Sequence, residues 1–270
     1  MPLTIYPLLG TRPRAYNIWK MVKIGVNIFY PPPEPLRAFL GRNRDFYVPI
    51  ASARSLKGDE WCRENAFYDD SSEDNISGMN ARLNENTAVY WMWKNMGVFS
   101  GADFVGLNHY RRFFPRSRLE EALRGADAAV AEPIRCGLPL AQQYAIYHEL
   151  KDLETCAEVL RRRDPAFGAG FVRHMVEDRD NFAPMNMFAM KPAMFRKWCE
   201  FVFPVLFELC ERIDTAGRDN YQKRAVCFLE ERVFGYWCMR ARDAGAKVAE
   251  VKVEEHLDWK DNGLNERGTY

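Results

Sequence analysis

Between Asn84 and Phe114 the sequence runs N-E-N-T-A-V-Y-W-M-W-K-N, turns near Gly97, and continues as D-F-V-G-L-N-H-Y-R-R-F-F. Ala88, Trp91, Met92 and Met96 fall on one face of a helix over 85–96 that Asn84 can cap and Gly97 can end. The run at 103–108 is short and apolar, without the alternation of a half-exposed strand. Such runs belong to strands buried on both faces, the kind found in parallel sheets. A helix leading directly into a buried strand constrains the chain to helices layered on a central sheet.

The rest of the chain repeats this alternation. Strands are expected at 23–30 (stopped by Pro31, Pro32 and Pro33), 46–51, 127–131, 186–190 and 247–253. Helices are expected at 140–150, 152–163 with Asp152 as cap, 167–177, 192–212 and 219–243, and from a Ser117 cap to Gly125. Residues 55–73 are polar and read as loop. The connectors are short. The expectation is therefore an α/β chain with one domain over 22–270, built on a largely parallel central sheet flanked by helices, behind an N-terminal extension over 1–21.

Apolar residues make up 47% of the 270, with 18 Phe, 12 Tyr and 7 Trp, which is ample for a packed core and argues against disorder. The 38 basic and 37 acidic residues leave a net charge of +1. That gives no global field to steer nucleic acid, so nucleic acid is set aside as a partner and any anion site is local. No run approaches the roughly 18 apolar residues of a spanning helix, and the N-terminus lacks the charged region of a signal peptide. The 7 Cys include no C-x-x-C pair. Cys156, Cys199, Cys210, Cys227 and Cys238 sit in apolar helical patterns, as buried reduced thiols of a cytoplasmic protein do. The 4 His show no metal-ligand spacing with them.

Five constellations carry chemistry-bearing side chains. His109-Tyr110-Arg111-Arg112 follows the buried strand, at the carboxyl edge where open α/β sheets place ligands. An Arg there can fork onto a phosphate, and His109 can hydrogen-bond it. Asp74-Asn75-Ile76-Ser77 offers groups able to read a base or ribose, although Asx turns and caps are the commoner use. Tyr144, His148 and Asp152 share one face if their helix is continuous and can then line a pocket. The alternative is that Asp152 caps the next helix while His148 is a satisfied interface residue. Asp178-Arg179-Asp180 is a D-x-D, in which paired carboxylates can hold a divalent ion, but its charged setting reads better as a solvated loop. Glu230-Glu231-Arg232 lies along an apolar stripe of Phe228, Val233 and Trp237. A carboxylate facing a pocket there can act as general base, against the ordinary use of such pairs on helix surfaces.

Six blocks occur in order along the chain: D-N-I-S at 74, N-E-N-T-A-V-Y-W-M-W-K-N at 84, V-G-L-N-H-Y-R-R-F-F at 105, Q-Q-Y with H-E-L-K-D-L-E over 142–154, M-N-M-F-A-M-K at 185 and Y-Q-K-R-A-V-C-F-L-E-E-R at 221. Together they resemble a bacterial family from capsular and exopolysaccharide gene clusters, formerly a domain of unknown function, whose members are described as glycosyltransferases and some as galactofuranosyltransferases. The resemblance implies a GT-A-like fold that moves a sugar from a nucleotide-sugar donor, expected to be UDP-linked, to a surface polysaccharide or lipid-linked glycan. It implies work in the cytoplasm, with peripheral contact at the inner face of the membrane. It implies a donor side of Asp74, Asn75, His109, Tyr110, Arg111 and Arg112, and an acceptor side of Tyr144, His148 and Asn186. Glu231 is then the first choice of base and Asp180 the second. No metal ligand is assigned, because V-G-L-N-H-Y-R-R lies where the fold carries its D-x-D; a divalent cation, Mn²⁺ or Mg²⁺, is the one cofactor the resemblance admits. The family's first strand ends in Thr or Cys and then His-Lys-Pro, whereas this chain has Ile28, Phe29 and Tyr30 there. That departure implies the alternative of a non-catalytic glycan- or nucleotide-binding homologue in a polysaccharide assembly complex.

Overall fold

The computed structural model describes residues 20–57, 60–179 and 184–255. Most of the extension expected over 1–21, and Asp180, lie outside the described residues. One mixed sheet runs through the rest: β1 (Val22–Ile28), β2 (Tyr47–Ala51), β3 (Tyr68–Asp69), β4 (Phe104–His109), β5 (Arg112–Phe113), β6 (Ala128–Ala131), β7 (Phe188–Met190), β8 (Val248–Val251) and β9 (Glu254–Glu255). Its main path is β3-β2-β1-β4-β7-β6-β8. β1, β2, β3 and β4 are mutually parallel, as are β6 and β8, while β7 runs antiparallel to both β4 and β6. The sheet is thus largely parallel, as expected. β5 and β9 add a short antiparallel ribbon to the end of β4.

β1, β4 and β6 are buried along almost their whole length, as strands covered on both faces must be. On one face Val105, Leu107, Phe188 and Met190 pack against apolar residues of Asn86–Lys94, Leu140–Tyr147, Leu150–Arg163, Pro165–Glu177, Pro192–Arg212 and Ala225–Asp243. On the other, Ile24, Val26 and Ile28 meet Leu36 and Leu40 of Glu34–Arg42 and Leu119 and Leu123 of Arg116–Leu123. Cys156, Cys199, Cys210, Cys227 and Cys238 are free and buried. Among the described residues no helix is long and apolar enough to cross a membrane.

Departures from the expected elements shape the site. Asn84 does not cap the following helix, because it takes φ 46 and Glu85 holds the cap position without a side-chain cap bond. The helix start is anchored by Asp70 instead. Its buried carboxylate accepts from Thr87 Oγ1 at 2.8 Å, Ser77 Oγ at 2.6 Å and the N–H groups of Ala53 and Arg54 at 2.9 and 3.0 Å. These donors offset the cost of burying the charge. The stretch expected to be loop, 55–73, in fact holds β3, the helix Glu60–Glu64 and part of Arg54–Lys57. The strand expected from Asn186 shortens to β7, because Met185 and Asn186 take φ of 68 and 49. The chain leaves the helix at His148 (φ −141, ψ 168), so Tyr144, His148 and Asp152 do not share a face. Asp152 is not a cap either: it is buried and takes a two-pronged bond from Arg218 at 2.5 and 3.0 Å.

Gly106 sits where β4 presses on β7. A Cβ at that position would lie inside the van der Waals shell of Phe188 O and 2.7 Å from Ala189 Cα. Both are backbone of the neighbouring strand and cannot step aside. Gly106→Ala is expected to lower stability by about 3 kcal/mol, the upper end of ordinary overpacking, as read by urea unfolding. A change within about 0.5 kcal/mol, typical of uncrowded surface positions, would contradict this packing.

Candidate functional site

The chain lays β2 and β3 on one side of β1 and β4 on the other, so the sheet order reverses between β1 and β4. At such a switch point the carboxyl ends of the strands open a crevice for ligands. In this protein the edge is formed by Ile28 and Phe29 after β1, by His109–Arg112 around the end of β4, and by the Met185–Asn186 turn that leads into β7. Asn27 stands beside His109 in the β1–β4 register.

The Met185–Asn186 turn is the hub. Its Met185 N–H donates to Glu231 Oε1 at 2.7 Å, and Met185 O lies 2.6 Å from His109 Nε2. Asn186 Nδ2 donates to Asn86 Oδ1 at 3.2 Å, and Asn86 Nδ2 reaches Glu230 Oε2 at 3.4 Å. Glu231 Oε2 accepts from Arg232 Nη1 at 3.2 Å, and Arg232 Nη2 donates to Gln143 Oε1 at 2.9 Å. Glu85 Oε1 accepts from the Cys227 thiol at 3.2 Å. Two successive non-glycine residues in the left-handed region cost about 1–2 kcal/mol each. Such strain persists where surrounding contacts over-determine it, and it gathers at functional positions.

Local sequence explains the convergence. The helix Ala225–Asp243 is buried without a break from Ala225 to Tyr236, so Glu230, Glu231 and Arg232 pass through the core. Asn86 opens a helix whose start is already fixed by Asp70. Glu85, Glu230 and Glu231 are at most 2% exposed. Burial lifts Glu231 to a pKa of about 7, with Arg232 pulling it down and the charge of Glu85 adding to the rise. Glu230 is lifted well above the usual carboxylate range, first by burial and then by the charges of Glu85 and Glu231. Burial pushes His109 down, so its ring is neutral at pH 7. A carbonyl can only accept, so Nε2 carries the proton toward Met185 O and Nδ1 is left as an acceptor. A carboxylate that titrates near neutral pH is matched to general-base work.

Of the residues expected to form the site, the turn unites Glu231, Asn186 and His109. Arg111 lies over the Tyr110 ring at 4.9 Å, and Arg112 is paired with Glu255 of β9 at 2.8 Å. Asp74 pairs with Lys94 at 3.2 Å and accepts from the Tyr90 hydroxyl at 3.1 Å. Asn75 folds on its own loop, donating to Ser71 O and Glu73 O and accepting from Ser77 N–H, which is an Asx turn. Tyr144 is wholly buried, with Arg232 over its ring at 5.2 Å. His148 stacks on Phe228 at 4.2 Å and on Tyr221 at 5.6 Å, and burial pushes its pKa down to about 4. Asp178 lies 3.3 Å from His174 Nδ1. Glu85 and Asn86 had no assigned role in the sequence, and Glu230 and Arg232 were singled out only as neighbours of Glu231, although charged and amide residues opening or interrupting apolar helices were a visible signal.

The buried glutamates are held by protein donors. Each buried glutamate already gives an oxygen to Cys227, Asn86 or Met185. Among the described residues no three His, Cys, Asp or Glu side chains converge as ligands.

The chain belongs to the family described as Domain of unknown function (DUF4422), whose model matches residues 39–242. In fold it is similar to the apo structure of the WbbM bifunctional glycosyltransferase, with a TM-score of 0.72 at 20% identity over 92% of this chain and 48% of that one. The chain therefore spans about half the length of the protein it matches, and at this identity the likeness speaks for the fold. No curated protein matches the sequence.

The buried acids make stability depend on pH in a set direction. Glu231 moves from an ordinary value of 4.5 to about 7 on folding, so between these values the folded chain keeps a proton that the unfolded chain has released. Its contribution is complete below about 4.5 and is lost as pH rises through about 7. Glu230, shifted the same way, continues that loss to higher pH. Glu230→Gln is therefore expected to melt higher than the native chain at pH 8, with the gap closing at low pH. A gap that widens on acidification would contradict the assignment.

Proposed function

We propose, taking membership of the DUF4422 family as the premise, that this chain is a glycosyltransferase of GT-A-like fold. It moves a sugar from a UDP-linked donor to a surface polysaccharide or lipid-linked glycan, in the cytoplasm at the inner face of the membrane. The observation that carries this reading is that a carboxylate lifted toward pH 7 and a neutral histidine hold the N–H and the C=O of one residue, Met185, at the switch point of an open α/β sheet. The fold likeness to a protein named a bifunctional glycosyltransferase supports it.

On this reading the donor lies over the β1–β4 ends, toward Asp74, Asn75 and Tyr110, and the acceptor lies on the β7–β6–β8 side with Asn186, Tyr144 and His148 behind it. The Met185–Asn186 turn lifts to admit the acceptor hydroxyl to Glu231. Glu231 takes the hydroxyl proton while the acceptor oxygen bonds to the anomeric carbon. The bond from that carbon to the diphosphate breaks, and the nucleoside diphosphate leaves with the electron pair. Its charge is met by Arg111, by Arg112 once drawn from Glu255, and by His109. When the turn lifts, His109 is released from Met185 O, and a proton taken from solvent water at Nδ1 gives it two N–H donors. Such direct displacement inverts the anomeric centre. No step is routed through a divalent cation. Asp180 is the alternative base.

A second reading, a nucleotide- or glycan-binding homologue without transfer, is favoured by the β1 end. There Ile28 is buried and the Phe29 and Tyr30 rings pack edge to face at 4.7 Å, so apolar groups occupy the place where polar ones were expected.

A panel of nucleotide sugars, with and without Mn²⁺, separates the two readings. The native chain is expected to transfer from one donor, with kcat/KM rising with pH through about 7. Glu231→Gln is expected to lower kcat by about 10²–10⁴-fold with donor KM little changed, and Asp180→Asn to leave kcat nearly intact. Nucleotide binding without transfer would favour the second reading. Neither binding nor transfer from any donor would overturn both.

A further inference from the structure

A cavity of about 550 Å³ lies between the helices Pro165–Glu177 and Ala225–Asp243, within the range of small-ligand sites. Glu231 and the Met185 turn are not among its lining residues. Arg173, Arg179 and Arg240 line it, with the His174 and Tyr236 rings. Its rim is tied to the loop that leaves the carboxyl end of β6. Leu140 N–H donates to Asp178 O at 3.0 Å, Cys136 N–H to Arg179 O at 2.9 Å, and Arg179 Nη1 to Gly137 O at 3.0 Å. The loop after β6 thus borders the cavity at Asp178 and Arg179.

Its chemistry points to an anion. Glu177 and Asp178 are the carboxylates of the lining, and Asp178 faces His174 Nδ1 at 3.3 Å. Asp243 lies 3.4 Å from Arg240, but that pair is exposed and weak. The guanidinium groups outnumber the carboxylates, and their planar forks suit phosphate oxygens. The His174 side chain is 1% exposed, and its Nε2 has no hydrogen-bond partner. A buried polar atom of this kind calls for a partner that the protein does not itself supply; with Nδ1 turned to the Asp178 carboxylate it is the ring's acceptor, suited to a protonated phosphate oxygen. Gly170 has no Cβ because one there would collide with the Tyr236 hydroxyl, so that hydroxyl is kept at the wall as a further polar group. Beside the cavity, Ile134 and Leu138 of the rim loop and Val176 of the helix are exposed at 39%, 40% and 57%.

We propose that this cavity binds the phosphate or diphosphate group of an amphiphilic acceptor, whose apolar chain lies along Ile134, Leu138 and Val176. The word acceptor rests on the glycosyltransferase reading; the binding itself does not.

Calorimetric titration of the whole chain tests this with inorganic pyrophosphate, farnesyl diphosphate, farnesol and UDP. Pyrophosphate is expected to bind, more weakly as salt rises, and farnesyl diphosphate to bind about tenfold more tightly through its buried chain. Farnesol alone is not expected to bind. Arg173→Ala with Arg240→Ala, both exposed and checked by an unchanged melting temperature, is expected to weaken both diphosphates by about tenfold or more. Leu138→Ser with Val176→Ser removes only the advantage of the farnesyl chain. Absence of pyrophosphate binding, or equal affinity in the arginine variant, overturns the site. Farnesyl diphosphate binding no tighter than pyrophosphate overturns the amphiphile. Loss of UDP binding in the same arginine variant makes the cavity a donor site and overturns the acceptor assignment. No turnover is read here, so failure of the transferase reading appears separately, as absent transfer with these affinities intact.

Discussion

The bond from Met185 N–H to Glu231 Oε1, 2.7 Å long, is the interaction on which the rest of the site depends. Glu231 is buried, and a buried carboxylate must be neutralised or hydrogen-bonded. Here it is partly both. Arg232 holds one oxygen and the Met185 peptide the other, yet burial and the charge of Glu85 still lift it toward neutrality. The peptide that satisfies it belongs to a turn strained at two consecutive residues. That turn stays in place because His109 and Asn86 hold it from the other side. The acid and the turn stabilise each other, and either one alone would be costly.

The sheet makes this possible. β7 runs against its neighbours, so its entry falls at the carboxyl edge, where the parallel strands end. The backbone arrives at that edge from the helical side, bringing Met185 and Asn186 beside His109 at the end of β4. The helix Ala225–Asp243 then carries Glu230, Glu231 and Arg232 behind the turn. The 550 Å³ cavity lies between two of the helices, bordered by the loop after β6, while the β1–β4 side presents the crevice at the switch point.

The buried strands and long helices were legible because continuous apolar runs and 3.6-residue periodicity are local signals. Residues 103–108 and 192–212 are cases in point, matched by Phe104–His109 and Pro192–Arg212. The hub was legible only in part. Glu231, Asn186 and His109 stood out as chemistry-bearing residues in distinct blocks, but nothing local joins Asn86 to Asn186 or Met185 to Glu231. Those contacts arise from packing between distant elements. The turn carries no glycine, and Asn186, a residue type that tolerates the left-handed region, was read as the start of a strand. Asp70 was hidden in a stretch whose polarity suggested loop. Its carboxylate gathers donors from outside that stretch, with Ser77 of D-N-I-S among them. Asp74 and Asn75 serve a Lys94 pair and an Asx turn, which is the commoner use of such residues.

The central claim is that Glu231 exchanges its proton near neutral pH because it is buried beneath the Met185 turn. The most direct test is a carbon-detected NMR titration of side-chain carboxyls in glutamate-labelled protein, compared with the same titration of Glu231→Gln. The account predicts one resonance with a midpoint near 7 that is missing from the variant. If the missing resonance titrates instead near the ordinary value of 4.5, Glu231 is a solvated carboxylate and the account is wrong.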